Sequence, residues 1–271
     1  MSSRLPRLAF VYHPRSFGTF EVAKAAEGVC RLVWVVDTRV AEVDLMSRLL
    51  RRLGDLVDVA GMSADDAATS IAASRPDGIL ALHDSLLAWT ARVAERLKLP
   101  FIAPEVAERL TDKYVQRTAL RAGGLAGPAF WQVPEVDDVQ AWTDLAAQAS
   151  FPALLKPRTG SGSRDVVRVQ SMDELRLRLA ETPDRLDSQP PRLLLEEYLH
   201  DGPSDEGRDF AGYVSVESIV SNGHASHLAI TGRFPPAEPF RETGFFIPSA
   251  LDDRERGDVL DTASAAIARS A

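Results

Sequence analysis

Residues 151–169 read Phe-Pro-Ala-Leu-Leu-Lys-Pro-Arg-Thr-Gly-Ser-Gly-Ser-Arg-Asp-Val-Val-Arg-Val. Two apolar runs flank a basic, small-residue loop, and Lys156 closes the first run. Gly160, Ser161, Gly162 and Ser163 leave little side-chain bulk at the tip. Such a turn lets backbone N–H groups approach an anion closely, while Lys and Arg supply charge. The stretch therefore predicts a strand–loop–strand flap able to close on phosphates. A plain basic surface hairpin with a Gly-Ser tip is the competing reading, and the rest of the chain has to decide between them.

Outward from this stretch, composition sets the frame. The chain has 271 residues, 45% hydrophobic and 26% charged, as in an ordinary globular protein of about two domains. There is no apolar run long enough to span a membrane, and residues 8–12 are too few for a signal peptide's apolar region. The lone Cys30 excludes an internal disulfide framework. The cytoplasm is the default address. A formal charge of −8 argues against tracking a nucleic-acid backbone, which requires a clustered positive surface.

Upstream of the flap, residues 7–12, 31–37, 56–59, 79–82 and 100–103 read as strands. Helical stretches at 19–28, 43–53, 64–73 and 86–97 separate them. Five strands alternating with helices predict a Rossmann-like parallel α/β sheet. The turn after the first strand, residues 13–18, has one glycine where the dinucleotide fingerprint needs three. There is no G-x-x-x-x-G-K-[ST] either, which disfavours an NAD enzyme and a P-loop NTPase.

A helical segment covers 104–121. Thr111 or Asp112 could cap a fresh start that places Lys113 in a first turn, against the helix dipole. A nearby anion would account for that; so would ordinary solvation of a surface lysine. The break Gly123-Gly-Leu-Ala-Gly-Pro128 marks a boundary. Strand 129–133, helix 136–149, the flap, helix 172–180 and strand 192–199 then form a small α+β unit. Asn222-Gly223 between two alternating runs is a hairpin signal. Its neighbours His224 and His227 lack the Cys or His partners of a metal site. Residues 233–246 read as an irregular loop and 251–271 as a closing helix.

Three features stand in order: Asp112-Lys113 with Arg117 and the Gly124–Pro128 break, then Pro152-Ala-Leu-Leu-Lys156-Pro with Gly160-Ser-Gly-Ser163, then Glu196-Glu-Tyr-Leu199. Together they resemble the ATP-grasp superfamily, specifically its carboxylate–amine (amino-acid) ligases. Residues 213–218 and Phe240-Arg-Glu-Thr-Gly244 are similar to that branch too. The resemblance implies an α/β chain in three parts. These are a Rossmann-like domain at 1–122, an α+β lid at 123–200, and an incomplete α+β third domain at 201–271.

It also implies roles. Lys113, Lys156 and the Gly160–Ser163 turn would hold ATP phosphates. Glu196, Glu197, Tyr198 and Leu199 would form the adenine edge, and Arg241 and Glu242 would line the substrate pocket. The family's acidic group for the ribose follows shortly after that edge, but an inserted region at 205–209 obscures which residue it is, and it stays unassigned. The implied reaction phosphorylates a carboxylate with ATP and Mg²⁺, then forms an amide with an amine. Both substrates would be small, amino-acid or peptide-like molecules, and a homodimer is one arrangement left open. No Glu-x-Asn follows Leu251, where the family holds Mg²⁺. The expectation is a piece of a longer ligase, the alternative a non-catalytic nucleotide-binding relative. A third class, an α/β protein binding no nucleotide, would ignore ATP altogether.

Overall fold

A computed structural model describes residues 4–135, 137–181, 192–199 and 210–270. The chain divides into two compact units, Met1–Thr111 and Asp112–Ala271.

The first unit alternates β1 (Arg7–Val11), α1 (Thr19–Ala26), β2 (Arg31–Val36), α2 (Ala41–Leu53), β3 (Asp55–Asp58), α3 (Ala64–Ala72), β4 (Gly78–Ala81), α4 (Asp84–Leu97) and α5 (Pro104–Thr111). The strands pair in parallel in the order β3-β2-β1-β4. Their near-continuous apolar runs follow from burial on both faces. Ala9, Val11 and Val35 pack with Ile71 and Val93 on one side. Phe10, Trp34 and Val36 pack with Val43 and Leu50 on the other.

The strand expected at 100–103 is absent; these residues are irregular. Pro100 and Pro104 lack the N–H groups a ladder needs, and Pro104 instead opens α5. The Ala103 carbonyl accepts from the amides of Val106 and Ala107 (3.0 Å each), so it serves the helix. Phe101 still packs against the core, which explains its apolar character without a fifth strand.

The second unit contains α6 (Lys113–Ala122), β5 (Phe130–Gln132), α7 (Val139–Gln148), β6 (Ala153–Pro157), β7 (Val167–Val169), α8 (Met172–Glu181), β8 (Leu193–Glu197), β9 (Val214–Ser221), β10 (His224–Arg233), β11 (Phe245–Phe246) and α9 (Asp253–Ser270). One antiparallel sheet runs β5-β8-β6-β7, a second β11-β10-β9. In the first sheet Ala153, Leu155, Val169 and Leu195 point into a core with Leu145 of α7 and Leu175 of α8. Period-two alternation sends Leu154, Lys156, Leu194 and Glu196 to the opposite face.

Asn222-Gly223 turns the β9–β10 hairpin with both residues at positive φ. The ring nitrogens of His227 bond the hydroxyls of Ser218 and Ser264, 2.8 Å each, tying β9 and β10 to α9. Residues 233–246 are less irregular than expected, since Ala237 bridges Arg241 and Phe245–Phe246 joins the sheet.

Candidate functional site

The site grows from the N-terminus of α6. Asp112 caps that helix, its carboxylate accepting from the backbone N–H of Tyr114 (2.9 Å) and Val115 (3.2 Å). The same carboxylate receives Arg158 through Nε (3.0 Å to both oxygens) and Nη2 (2.6 Å). Arg158 is 7% exposed and also donates to Gln132 of β5 (3.2 Å). Burial by itself would raise the Asp112 carboxyl; Arg158 and the backbone donors outweigh it and hold the group below the usual aspartate value. This ion pair pins the root of the Gly-Ser loop to α6. The Arg158 carbonyl accepts from the Lys113 amide at 2.8 Å.

Lys113 is therefore not a solvated surface lysine. Its ammonium donates to the carbonyls of Gly160 (3.0 Å), Pro157 (3.3 Å) and Arg158 (3.4 Å). Burial, and then the positive charge of Lys156, push its pKa below the usual lysine value. A group held this way gains from an arriving anion, which restores the charged form.

Lys156, at the end of β6, lies beside Glu196 of β8, with Nζ 2.5 Å from Oε1. Arg117, one turn after Lys113 on α6, donates through Nε to the other Glu196 oxygen at 3.0 Å. Between β6 and β7 the turn takes the backbone conformation its glycines permit. Gly160, Gly162 and Ser163 all have positive φ (112°, 69° and 52°). Lys113, Lys156 and residues 159–164 then line a cavity of about 270 Å³, closed on other sides by Leu154, Val166 and Phe240. Ammonium groups and a small-residue turn on one cavity wall suit a polyanion such as a nucleotide's phosphate chain.

The remaining expected residues do not line this cavity. Glu196 is buried beneath Lys156 and does not line it. The Glu197 carboxylate accepts from the Ala129 amide at 2.9 Å, holding the end of β8. Arg168 stacks over the Tyr198 ring at 4.4 Å, and Tyr198 lies 6.5 Å from the Phe240 ring. Leu199 is exposed. Arg241 and Glu242 follow Phe240 on the surface and do not line the cavity; Glu242 accepts from Arg233 at 3.0 Å. The ribose region 205–209 lies outside the described residues. Among the described residues no group of three His, Cys, Asp or Glu side chains could hold a metal, so Mg²⁺ receives no assigned ligand here.

Sequence reading missed Arg158 as the buried anchor and Phe240 as a cavity wall. The signal for Arg158 was faint, an arginine directly after a strand in a stretch of many basic residues. Phe240 is some 80 positions from the loop it faces, so only folding brings them together.

The arrangement of a parallel α/β unit followed by two antiparallel sheets recurs in solved structures. The L-amino acid ligase of Bacillus licheniformis superposes with a TM-score of 0.73 at 19% identity, over 99% of this chain and 61% of that one. The biotin carboxylase domain of Hydrogenobacter thermophilus 2-oxoglutarate carboxylase, solved with MgADP and bicarbonate, gives 0.72 at 17%, over 99% and 59%. The fold is that of the ATP-grasp carboxylate–amine ligases. Within this ATP-grasp group the alanine–anticapsin ligase of Bacillus subtilis is 26% identical over 223 residues, 78% of this chain and 44% of that protein. The chain thus spans about half the length of the relatives it matches. No protein-family model matches it.

Proposed function

We propose that this chain is the nucleotide-binding part of an ATP-dependent ligase that joins a carboxylate to an amine. The observation that carries the reading is the convergence of Lys113, Lys156 and the 160–163 turn on one cavity, within a fold shared with ATP-using ligases. ATP would supply a γ-phosphoryl group that converts the carboxylate to an acylphosphate, and the amine would displace phosphate. The protein's part is positioning and charge: two ammonium groups and backbone N–H groups against the phosphate oxygens. The segment 196–199 would present the adenine edge, and Arg241 and Glu242 would face the substrates. By the likeness to alanine–anticapsin ligase and L-amino acid ligase, those substrates are amino-acid or peptide-like. The boundaries 1–122, 123–200 and 201–271 belong to the same proposal, as do Mg²⁺ and a homodimer.

The test is thermal. ATP at a hundred times its Kd should stabilise the protein by about 2.7 kcal/mol, a shift of several degrees. Lys156→Ala should abolish it. A wild type indifferent to ATP, or an unchanged shift in K156A, would overturn the assignment. For the catalytic step, the protein should release ADP from ATP when given an amino-acid pair; stabilisation without release would favour the non-catalytic reading.

A further inference from the structure

A second cleft, of about 770 Å³, opens at the amino edge of the first unit's sheet, where β2 and β3 begin and α1 and α2 end. Open α/β sheets usually hold ligands at the carboxyl ends of their strands, so the fold alone gives this end none. The volume falls within the range of about 300–1,000 Å³ common for small-molecule sites.

Its walls carry four cations, Lys24, Arg31, Arg51 and Arg52, against two carboxylates, Glu27 and Asp55. Both carboxylates are already held: Glu27 pairs with Lys24 and Asp55 with Arg7, each at 2.5 Å. The guanidinium groups of Arg31, Arg51 and Arg52 meet no carboxylate or other hydrogen-bond partner among the described residues. Next to Gly54, which also lines the cleft, the fully buried Trp34 indole N–H has no acceptor among the described residues. It lies 3.1 Å from the point a Cβ of residue 54 would occupy. Unpaired donors thus gather at this end of the sheet.

Helix C-termini attract cations, and Arg51 and Arg52 stand in the last turn of α2. That accounts for charge on the helix end. It does not account for Arg31, which opens a strand, or for three unpaired guanidinium groups lining one cleft. Like charges so placed repel, and an arriving anion turns that repulsion into attraction. The chain as a whole carries a formal charge of −8, so a cluster of uncompensated cations runs against its general balance.

We infer that this cleft is a second anion site, holding a small, multiply charged anion, phosphorylated or polycarboxylate, on the planar forks of Arg31, Arg51 and Arg52. None of its residues lines the cavity of Lys113 and Lys156, so it stands whether or not the ligase reading does.

The experiment is calorimetric titration with pyrophosphate and with citrate in a Lys156→Ala background, which withdraws an ammonium from the other cavity. One anion site should remain in K156A. Adding Arg51→Ala and Arg52→Ala together should weaken it at least about tenfold. Tighter binding of pyrophosphate marks a phosphorylated ligand, tighter binding of citrate a polycarboxylate. Arg48→Ala, on the exposed side of α2 and outside the cleft walls, should change nothing. Should the double variant fail to fold, Arg31→Ala is expected to weaken the same site by about tenfold. A K156A protein that binds neither anion overturns the inference, and so does binding that survives loss of the cleft arginines. A loss in R48A equal to that in the cleft variants would show general surface attraction and overturn it too.

Discussion

Replacing Asp112 with Asn separates two jobs that one carboxylate performs. Asn caps helices about as well as Asp, so the bonds from Tyr114 and Val115 can survive the change. The ion pair cannot. An amide placed where Oδ2 stands turns N–H groups toward Arg158 Nη2, now 2.6 Å away. Breaking a buried pair by removing one charge typically costs about 3–5 kcal/mol. With Arg158 and Asp112 side chains 8% and 12% exposed, the lower end, about 3 kcal/mol, is the expected loss.

For a unit of this size that corresponds to a fall of roughly 6–12 °C in Tm, readable by circular dichroism alongside urea unfolding. Asp112→Ala should lose about 1 kcal/mol more, because the cap goes as well. The pH dependence has a definite sign. The folded carboxyl is held below the ordinary aspartate value, so its contribution is complete above that value. It disappears as pH falls through the folded pKa. The gap between wild type and D112N should therefore be widest near neutrality and close in acid. A D112N protein as stable as wild type at pH 7, or a gap that widens on acidification, would refute the assignment of the pair as an anchor.

Two further outcomes test other parts of the structure. Lys113 is held below the usual lysine range by burial and by Lys156, so ATP binding should weaken at a lower alkaline pH than an ordinary lysine would cause. Lys113→Arg should move that loss to higher pH, and an unchanged profile would count against Lys113 as a phosphate contact. In the first unit, a Cβ at Gly54 would lie 2.6 Å from the Leu32 carbonyl oxygen and 3.1 Å from Nε1 of the fully buried Trp34. Neither can retreat, so Gly54→Ala should cost about 1–3 kcal/mol in urea unfolding; a change under about 0.5 kcal/mol would show that the strand end yields.

Much of this was legible before folding because it is local. Apolar runs of β-branched residues at 31–36 and alternation at 214–221 depend on a strand's own geometry, and Asp112 and Asn222-Gly223 on a cap and a turn. The Gly-Ser tip of 151–169 announced a turn that only small residues make comfortably, and its glycines do adopt positive φ. The strand misread at 100–103 shows the limit of local reading. Apolar residues between two prolines looked like a strand, whereas burial against the first core was what they had in common with one.

The tertiary structure alone decided how the charges are partnered. Arg158, Lys156, Lys113 and Arg117 look interchangeable along the chain, but they come from β6, the loop after it and α6. Strand pairing brings Lys156 diagonally to Glu196, and the start of α6 brings Asp112 to Arg158, separated by 40 and 46 positions. Which cation faces the cavity and which is buried as an anchor is set by strand pairing and helix packing. Spacing in the sequence carries no information about partners so far apart.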